Sequence, residues 1–286
     1  LNGNQNDQYS LSSDFTHILN EKGTSISITL QHSENKREDE NFILSSTTYY
    51  QLKNSMGNDS ILYRNQYLLS PSKNQNESLG MLLTHPFTQK LRLQLSYNFN
   101  YSRERNNRNT YDLSSLVEEN TAIGFLPDNY EAGYTDSLSN KSNSHTLGHD
   151  ITMRMNYSTE RWDINAELSI QPEKRKIEQK TGLLQADTIS NHVGFRPSAS
   201  ISWKKEKNVI RLNYNGSTRQ PALTDLLSLT DNSDPLNIRR GNPHLKPAFN
   251  QNIRLETQNA SKGIFASLNW SGEINSQTVS VSYDTK

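Results

Sequence analysis

Strict alternation of apolar and polar residues is the feature that most constrains how this chain can fold. Between residues 91 and 101 every even position is polar. The odd positions are all apolar or aromatic: Leu91, Leu93, Leu95, Tyr97, Phe99 and Tyr101. A β-strand points successive side chains to opposite faces, whereas a helix with 3.6 residues per turn would mix the two sets. The segment therefore predicts a strand with one apolar face and one polar face.

The same period of two recurs along the chain. It appears at residues 26–30, 151–157, 162–170, 199–203, 210–214, 253–255 and 266–270. Residues 34–76 follow it less clearly, and we expect a hairpin there that pairs 42–52 with 60–70 and extends above the other strands.

The connections between these segments alternate in length. Short polar turns are expected at 20–23, 86–90, 158–161, 204–207 and 260–263. Long polar stretches occupy 102–146, 171–192 and 216–247. Short turns at one end and long loops at the other are typical of outer-membrane barrels. The pattern predicts an all-β, transmembrane, antiparallel up-and-down β-barrel of about ten strands, with short periplasmic turns and long extracellular loops.

Composition agrees with a barrel that has a wet interior. Only 32% of the residues are hydrophobic, below the roughly 45–50% of ordinary globular proteins. Thirteen Tyr, eight Phe and three Trp argue against disorder. There is no run of about 18 apolar residues and hence no transmembrane helix, but a barrel strand spans a membrane with about 9–11 residues. Four aromatic residues lie close to the short turns, as an interfacial girdle would: Phe87, Tyr157, Trp162 and Trp203.

Several functional classes are disfavoured. The 30 basic and 30 acidic residues balance, so no basic surface for nucleic acid is expected. The absence of cysteine excludes thiol nucleophiles, disulfides and iron–sulfur clusters. No phosphate-binding loop or nucleophile elbow is present, so we expect neither a cofactor nor an enzyme. His145 and His149 have a metal-compatible spacing only on a helix. They lie where a loop becomes a strand, so we expect them to be solvated. Asp231 and Asp234 lack the rest of a calcium loop.

Charged residues fall on the polar faces of the predicted strands. They are Arg92, Arg154, Asp163, Glu167, Arg211, Arg254 and Glu256. Charge costs about 2–4 kcal/mol on the lipid face of a barrel and little in a watery lumen. We therefore expect them to line the lumen or contact a plug. A soluble sandwich or β-helix is the competing fold, but long loops at every second connection do not suit a sandwich, and no repeat period supports a solenoid.

A loop motif adds a family resemblance. Residues 218–247 read TRQPALTDLLSLTDNSDPLNIRRGNPHLKP and contain a D-P-x-x-I-x-x-G-N-P-x-L-x-P pattern. Its members are Asp234, Pro235, Ile238, Gly241, Asn242, Pro243, Leu245 and Pro247. The chain resembles the Bacteroidetes outer-membrane β-barrel family related to TonB-dependent receptors, and residues 84–99 and 275–286 are similar to that family's strands. One short turn departs from the family, with His85-Pro86-Phe87 where Glu-Pro-Leu is common.

The resemblance implies a 22-stranded barrel with an N-terminal plug and an energy-coupling segment. Residues 1–286 would be the central part of a single barrel domain, with the plug and the last strands outside the chain. The implied function is uptake of an unidentified small molecule, glycan or peptide, with outer-membrane lipid, the protein's own plug and a TonB-like coupling protein as partners. The alternatives are a barrel without coupled transport, including a surface-display scaffold, and a secreted glycan-binding or adhesive β-protein.

Within the motif, Gly241 permits a positive φ, while Pro243 and Pro247 fix φ. We interpret this stretch as a rigid re-entry from the loop into the strand after it. Contact with a ligand through Arg239, Arg240 or Asn242 is the functional alternative.

Overall fold

The computed structural model describes residues 2–53, 55–116, 124–226, 230–231 and 239–275. Ten strands make up the main sheet. They are β1 (Asn2–Ile18), β2 (Ser25–Lys53), β3 (Asp59–Pro86), β4 (Leu91–Asp112), β5 (Asn140–Ser158), β6 (Trp162–Thr181), β7 (Leu184–Lys205), β8 (Asn208–Arg219), β11 (Ala248–Asn259) and β12 (Ile264–Ile274). Two short strands, β9 (Thr230–Asp231) and β10 (Arg239–Arg240), pair with each other in the connection from β8 to β11.

Each strand of the main sheet pairs antiparallel with the next along the chain, in the order β1 to β8 followed by β11 and β12. This up-and-down order of ten strands confirms the predicted topology. At one end of the sheet all the connections are short: 19–24, 87–90, 159–161, 206–207 and 260–263. At the other end they vary from two residues (182–183) and five (54–58) to the long connections 113–139 and 220–247.

Strand register gathers the apolar residues onto one face. Leu83 is opposite Leu95, Leu95 is opposite Met153, and Met153 is opposite Leu168. We call this face the apolar belt. Leu95 and Met153 are 51% and 56% exposed, so no second layer of protein covers them. A sandwich would bury such a face in a core, whereas a barrel turns it towards lipid.

The strands differ greatly in length. β11 and β12 have 12 and 11 residues, which is about what a membrane requires. β2 and β3 have 29 and 28 residues and continue well beyond it. Their far ends pair Phe42 with Tyr67 and Tyr49 with Ser60, which confirms the hairpin predicted for 42–52 and 60–70.

The predicted loop at 171–192 is wrong. β6 and β7 remain paired from Gln171 opposite Gly194 to Thr181 opposite Leu184, and Gly182 turns with a φ of 58°. The predicted loop at 102–146 is likewise shorter, because β4 continues to Asp112 and β5 begins at Asn140. Outside the membrane a strand has water on both sides and does not need alternating polarity, so the sequence pattern that identifies strands disappears there.

Aromatic residues mark both edges of the belt. Trp162 on β6 is opposite Trp203 on β7 near the short turns. Phe195 precedes Trp203 by eight positions in β7 and lies at the other edge of the belt. Its ring centre is 6.3 Å from that of Phe249 on β11. At about 3.3 Å per residue and a tilt of about 40°, these levels are roughly 20 Å apart along the membrane normal. No helix in the described chain is long and apolar enough to cross a bilayer.

Candidate functional site

The face opposite the apolar belt is predominantly polar, and we call it the lumen wall. Leu82 of β3, which lies opposite Ser96 of β4, is an apolar exception. On β4 it carries Gln94, Ser96 and Asn98, which lie opposite Arg154, Thr152 and Asp150 of β5. Side chains at the same level on β6 to β12 are mainly Ser, Asn, Glu and Arg. Such a surface is stable only against water or polar protein, and it offers many hydrogen-bond donors and acceptors.

Asp150 is the most highly connected residue of the lumen wall. Its carboxylate accepts hydrogen bonds from Thr152 Oγ1 at 2.6 Å and Ser169 Oγ at 2.7 Å. It also accepts from Gln171 Nε2 at 2.7 Å and Arg196 Nη2 at 3.2 Å. The donors come from β5, β6 and β7, so one carboxylate ties three strands together.

A ladder of polar pairs continues across the wall. Arg154 Nε donates to Glu167 Oε2 at 2.9 Å, and Asn156 Nδ2 donates to Asn165 Oδ1 at 2.6 Å. At the far side of the sheet a concave region of about 540 Å³ lies on β8, β11 and β12. Its lining residues are Asn215, Ser217, Asn250, Gln251, Asn252, Ser271, Gly272 and Glu273. The region is open to solvent, and its lining side chains are nearly all polar.

All seven charged residues predicted to point inward share the lumen wall. Arg92 lies opposite Asn156, Arg154 opposite Glu167, and Asp163 opposite Ser202. Arg211 lies opposite Glu256, and Arg254 Nη2 is 2.7 Å from Glu256 Oε1. Several of these charges therefore neutralise one another, as expected of a solvated wall.

The motif loop is held by its asparagine. Asn242 Oδ1 accepts a hydrogen bond from the His244 backbone N–H at 2.9 Å, and the Asn242 backbone N–H donates to the Asp225 carbonyl at 2.6 Å. The second bond anchors the loop to a 3₁₀ turn at Thr224–Leu226. The described glycines with positive φ are Gly23, Gly57, Gly124, Gly182 and Gly263. Gly241 is not among them.

The rest of the motif is placed as follows. Pro243 is exposed, Gly241, Leu245 and Pro247 are half-buried, and β11 begins at Ala248, directly after Pro247. Arg239 and Arg240 form β10, and the Arg240 side chain is exposed. Asp234, Pro235 and Ile238 lie outside the described residues. Ligand contact by any motif residue stays a prediction.

His145 and His149 were expected to be simply solvated, and the structure corrects this. Tyr101 Oη lies 3.0 Å from His145 Nδ1, and Tyr97 Oη lies 2.9 Å from His149 Nδ1. Both pairs link β4 to β5 on the face of the apolar belt, near its upper edge. Among the described residues no three His, Asp or Glu side chains gather as metal ligands do.

A half-buried charged cluster lies in the hairpin that was predicted as a loop. Glu173 Oε1 is 3.1 Å from His192 Nε2 and 3.0 Å from Arg175 Nε. Burial lowers the pKa of His192, as does the nearby Arg175, while Glu173 acts in the opposite direction. Sequence reasoning missed this cluster, because residues 171–192 do not alternate between apolar and polar side chains as the membrane-spanning segments do.

An aromatic cluster stabilises the upper ends of β2 to β4. Tyr67 lies 4.9 Å from Phe42 and 5.5 Å from Tyr130, ring centre to ring centre. Tyr130 belongs to a 3₁₀ turn at Tyr130–Gly133, in the connection from β4 to β5. Burial raises the pKa of Tyr67 to about 12. The connection is therefore a packed structure that extends the wall.

Comparisons with known proteins agree with this geometry. The model of a family described as the outer membrane protein β-barrel family matches residues 17–286. A crystal structure of the ferric-catecholate import receptor Fiu from E. coli K12, in its closed form, superposes with a TM-score of 0.57 at 14% identity. The superposition covers 94% of this chain and 41% of that receptor, so the chain spans less than half of the receptor's length. No curated protein sequence matches the chain.

Proposed function

The chain belongs to the outer membrane protein β-barrel family, and from this membership we propose that it forms part of the wall of an energy-coupled import receptor. Membership confirms the predicted barrel fold and places the protein in the outer membrane. It also argues against the alternative of a secreted adhesive protein, because such a protein does not meet lipid and would have no use for the apolar belt.

The observation that carries the proposal is the open polar wall. In the described chain β1 and β12 are both edges of the sheet and do not pair with each other. A membrane barrel must close, so we propose that further strands complete a single barrel domain of which residues 1–286 are one part. A barrel of eight strands is already filled by its own side chains, whereas much larger ones enclose a channel or a plug. A wall of this width suits a wide, polar passage.

The proposed partners follow from that passage. A plug domain supplied by other sequence would contact the charged and amide side chains of the lumen wall, and a TonB-like coupling protein would act on the plug. The proposal gives the barrel no catalytic role. The structurally similar receptor is named for ferric-catecholate import, while the substrate here stays open among small molecules, glycans and peptides.

The motif loop is the proposed place for substrate contact on the outer side. Arg240 is exposed at the end of β10, next to a connection fixed by the Asn242 turn. Arg239 precedes it in β10. Replacing both arginines with Gln should weaken uptake while leaving the barrel's stability unchanged.

The experiment that tests the proposal compares three isogenic strains: one lacking this protein, one lacking the coupling protein, and the parent. Growth is scored on a panel of iron chelates, vitamins, glycans and peptides. Import predicts that both deletions lose growth on the same nutrient. A nutrient defect in the first deletion alone would contradict coupled import.

A conductance measurement distinguishes the import receptor from a barrel without coupled transport. The full-length protein is reconstituted in a planar bilayer, and its ion current is measured. A plugged receptor should stay almost closed at rest, whereas a passive pore conducts continuously through an open polar lumen. Steady single-channel current from wild-type protein would favour the passive alternative.

A further inference from the structure

Six basic residues on the outward face of β2–β6 lie just above the apolar belt, and the proposed transport function uses none of them. They are Lys36, Lys73, Arg103, Arg105, Lys174 and Lys176, which we call the headgroup patch. Strand register brings them together. Lys36 is opposite Lys73, and Lys73 is opposite Arg105. One level lower, Arg103 and Lys176 lie on either side of His145.

The patch lies on the lipid-facing side. Arg103 and Arg105 follow Tyr101 at intervals of two along β4, so they point to the same side as Leu95, Tyr97 and Tyr101. They lie about 7 and 13 Å beyond Tyr101 along the strand. Aromatic residues concentrate at the membrane interface. Basic side chains two or four residues beyond Tyr101 are therefore at the depth of the lipid headgroups.

Carboxylates on the same face, which include Asp7 opposite Lys36 and Asp187 opposite Glu178, neutralise only part of the patch. Glu34 is buried between Lys73 and Lys36, with Nζ–Oε distances of 2.9 and 3.3 Å. Lys176 pairs with Glu178, and Glu77 pairs with His32 instead. The other three cations, Arg103, Arg105 and Lys174, make no ion pair within the described chain.

Two further observations indicate an external anion. Like charges directly opposite each other on neighbouring strands are destabilising, yet Lys73 and Arg105 face each other on β3 and β4, and of these two only Lys73 pairs with Glu34. The Nε of Arg103 is buried without a hydrogen-bond partner among the described residues. Burial lowers the pKa of His145, and the nearby charge of Arg103 lowers it as well. Lys176 and Arg105 act in the same direction, and Glu178 acts in the opposite direction.

We propose that the headgroup patch binds the phosphate groups of a lipid headgroup in the outer leaflet of the outer membrane. Arginine binds phosphate through two parallel N–H donors, and lysine adds a point charge. A phosphorylated glycolipid anchored by its acyl chains against the apolar belt would place its phosphates at this level. The inference rests on the outer-membrane location and not on transport, so either can fail alone.

The test uses the full-length protein in detergent and measures its affinity for lipid A carrying its phosphates. The same lipid A after enzymatic dephosphorylation, and inorganic phosphate alone, are the comparison ligands. The variant R103Q/R105Q removes two unpaired charges of the patch. R92Q/R211Q is the matched control, because it removes two arginines of the lumen wall that likewise make no ion pair within the described chain.

We expect phosphorylated lipid A to bind far more tightly than the dephosphorylated lipid. R103Q/R105Q should weaken binding by about 30-fold, which corresponds to about 1 kcal/mol for each basic residue at an anionic surface. R92Q/R211Q should leave it unchanged. Equal affinity for the two lipids, equal losses in both variants, or equally tight binding of inorganic phosphate alone would overturn the proposal.

If R103Q/R105Q fails to give a heat-modifiable folded band, K174Q replaces it. Lys174 is exposed and unpaired in the described chain, so its loss should not disturb folding. The expected effect of K174Q is about fivefold weaker binding of phosphorylated lipid A. No change with K174Q, or no difference between the two lipids in wild-type protein, contradicts the proposal.

Discussion

Ser169 on β6 donates its hydroxyl proton to Asp150 on β5 at an oxygen–oxygen distance of 2.7 Å, and Ser169 is completely buried. Removing the acceptor would leave a donor with no access to water. We expect D150A to destabilise the barrel by about 1–3 kcal/mol, the cost of an unsatisfied buried polar group. The measurement is the urea midpoint of the heat-modifiable folded band.

The control is D163A on the same polar face. In the described chain the Asp163 side chain accepts a single hydrogen bond, from Asn165 Nδ2 at 2.8 Å, so its loss should shift the midpoint much less. Equal shifts for D150A and D163A would show that Asp150 does not have the special role assigned to it.

An arginine introduced at two neighbouring residues of β4 should have very different effects on the barrel's stability. Leu95 is in the apolar belt and Gln94 is on the lumen wall. L95R should cost about 2–4 kcal/mol, because it places a charge near the middle of the bilayer, and Q94R should cost under about 1 kcal/mol. Reversible unfolding from lipid vesicles gives both values. Comparable costs would mean that the two faces have been assigned to the wrong environments.

The connection from β4 to β5 depends on a glycine. A methyl group on Gly133 would overlap the backbone carbonyl of Asp112, whereas one on Gly148 would lie 4.0 Å from its nearest neighbour, Glu173 Cγ. We expect G133A to displace the connection at a cost of about 1–3 kcal/mol and to speed its cleavage by external protease about tenfold. G148A should be cleaved at the wild-type rate. Cleavage of G133A at that same rate would contradict the prediction.

The Asn242 turn should be visible in hydrogen exchange. N242A removes the oxygen that accepts from His244 N–H, a bond worth about 1 kcal/mol. Exchange of the His244 amide should therefore accelerate about fivefold, while N242D, which keeps an acceptor, should preserve most of the protection. Unchanged exchange in N242A would show that the prolines alone hold the loop.

Within the membrane the sequence was sufficient to predict the fold. Leu95 and Met153 had to face lipid while Gln94 and Arg154 faced water, and this contrast of environments imposes alternation on every spanning strand. The predicted lumen charges share one face for the same reason, since a one-residue slip would move each of them into lipid.

Outside the membrane that contrast of environments disappears, so the alternation pattern no longer identifies strands there. Glu173 and His192 lie in paired strands with water nearby, and neither the loop composition nor charge distinguished them from a coil. β1 was not identified as a strand, because Ser13 interrupts its apolar face between Leu11 and Phe15, and His17 follows Phe15 on the same face. The Tyr67–Tyr130 contact joins residues 63 positions apart, which no local pattern encodes.

One face of this sheet meets lipid and the other does not. Residues 1–286 contain no cysteine, so in a full-length protein with any cysteines elsewhere replaced, single cysteines from 92 to 99 can each carry a spin label in lipid vesicles. Oxygen, which concentrates in the acyl chains, should collide most often with labels at 93, 95, 97 and 99, and least often with those at 92, 94, 96 and 98. Collision rates without a period of two, or with maxima at the even positions, would contradict a transmembrane barrel with a polar lumen.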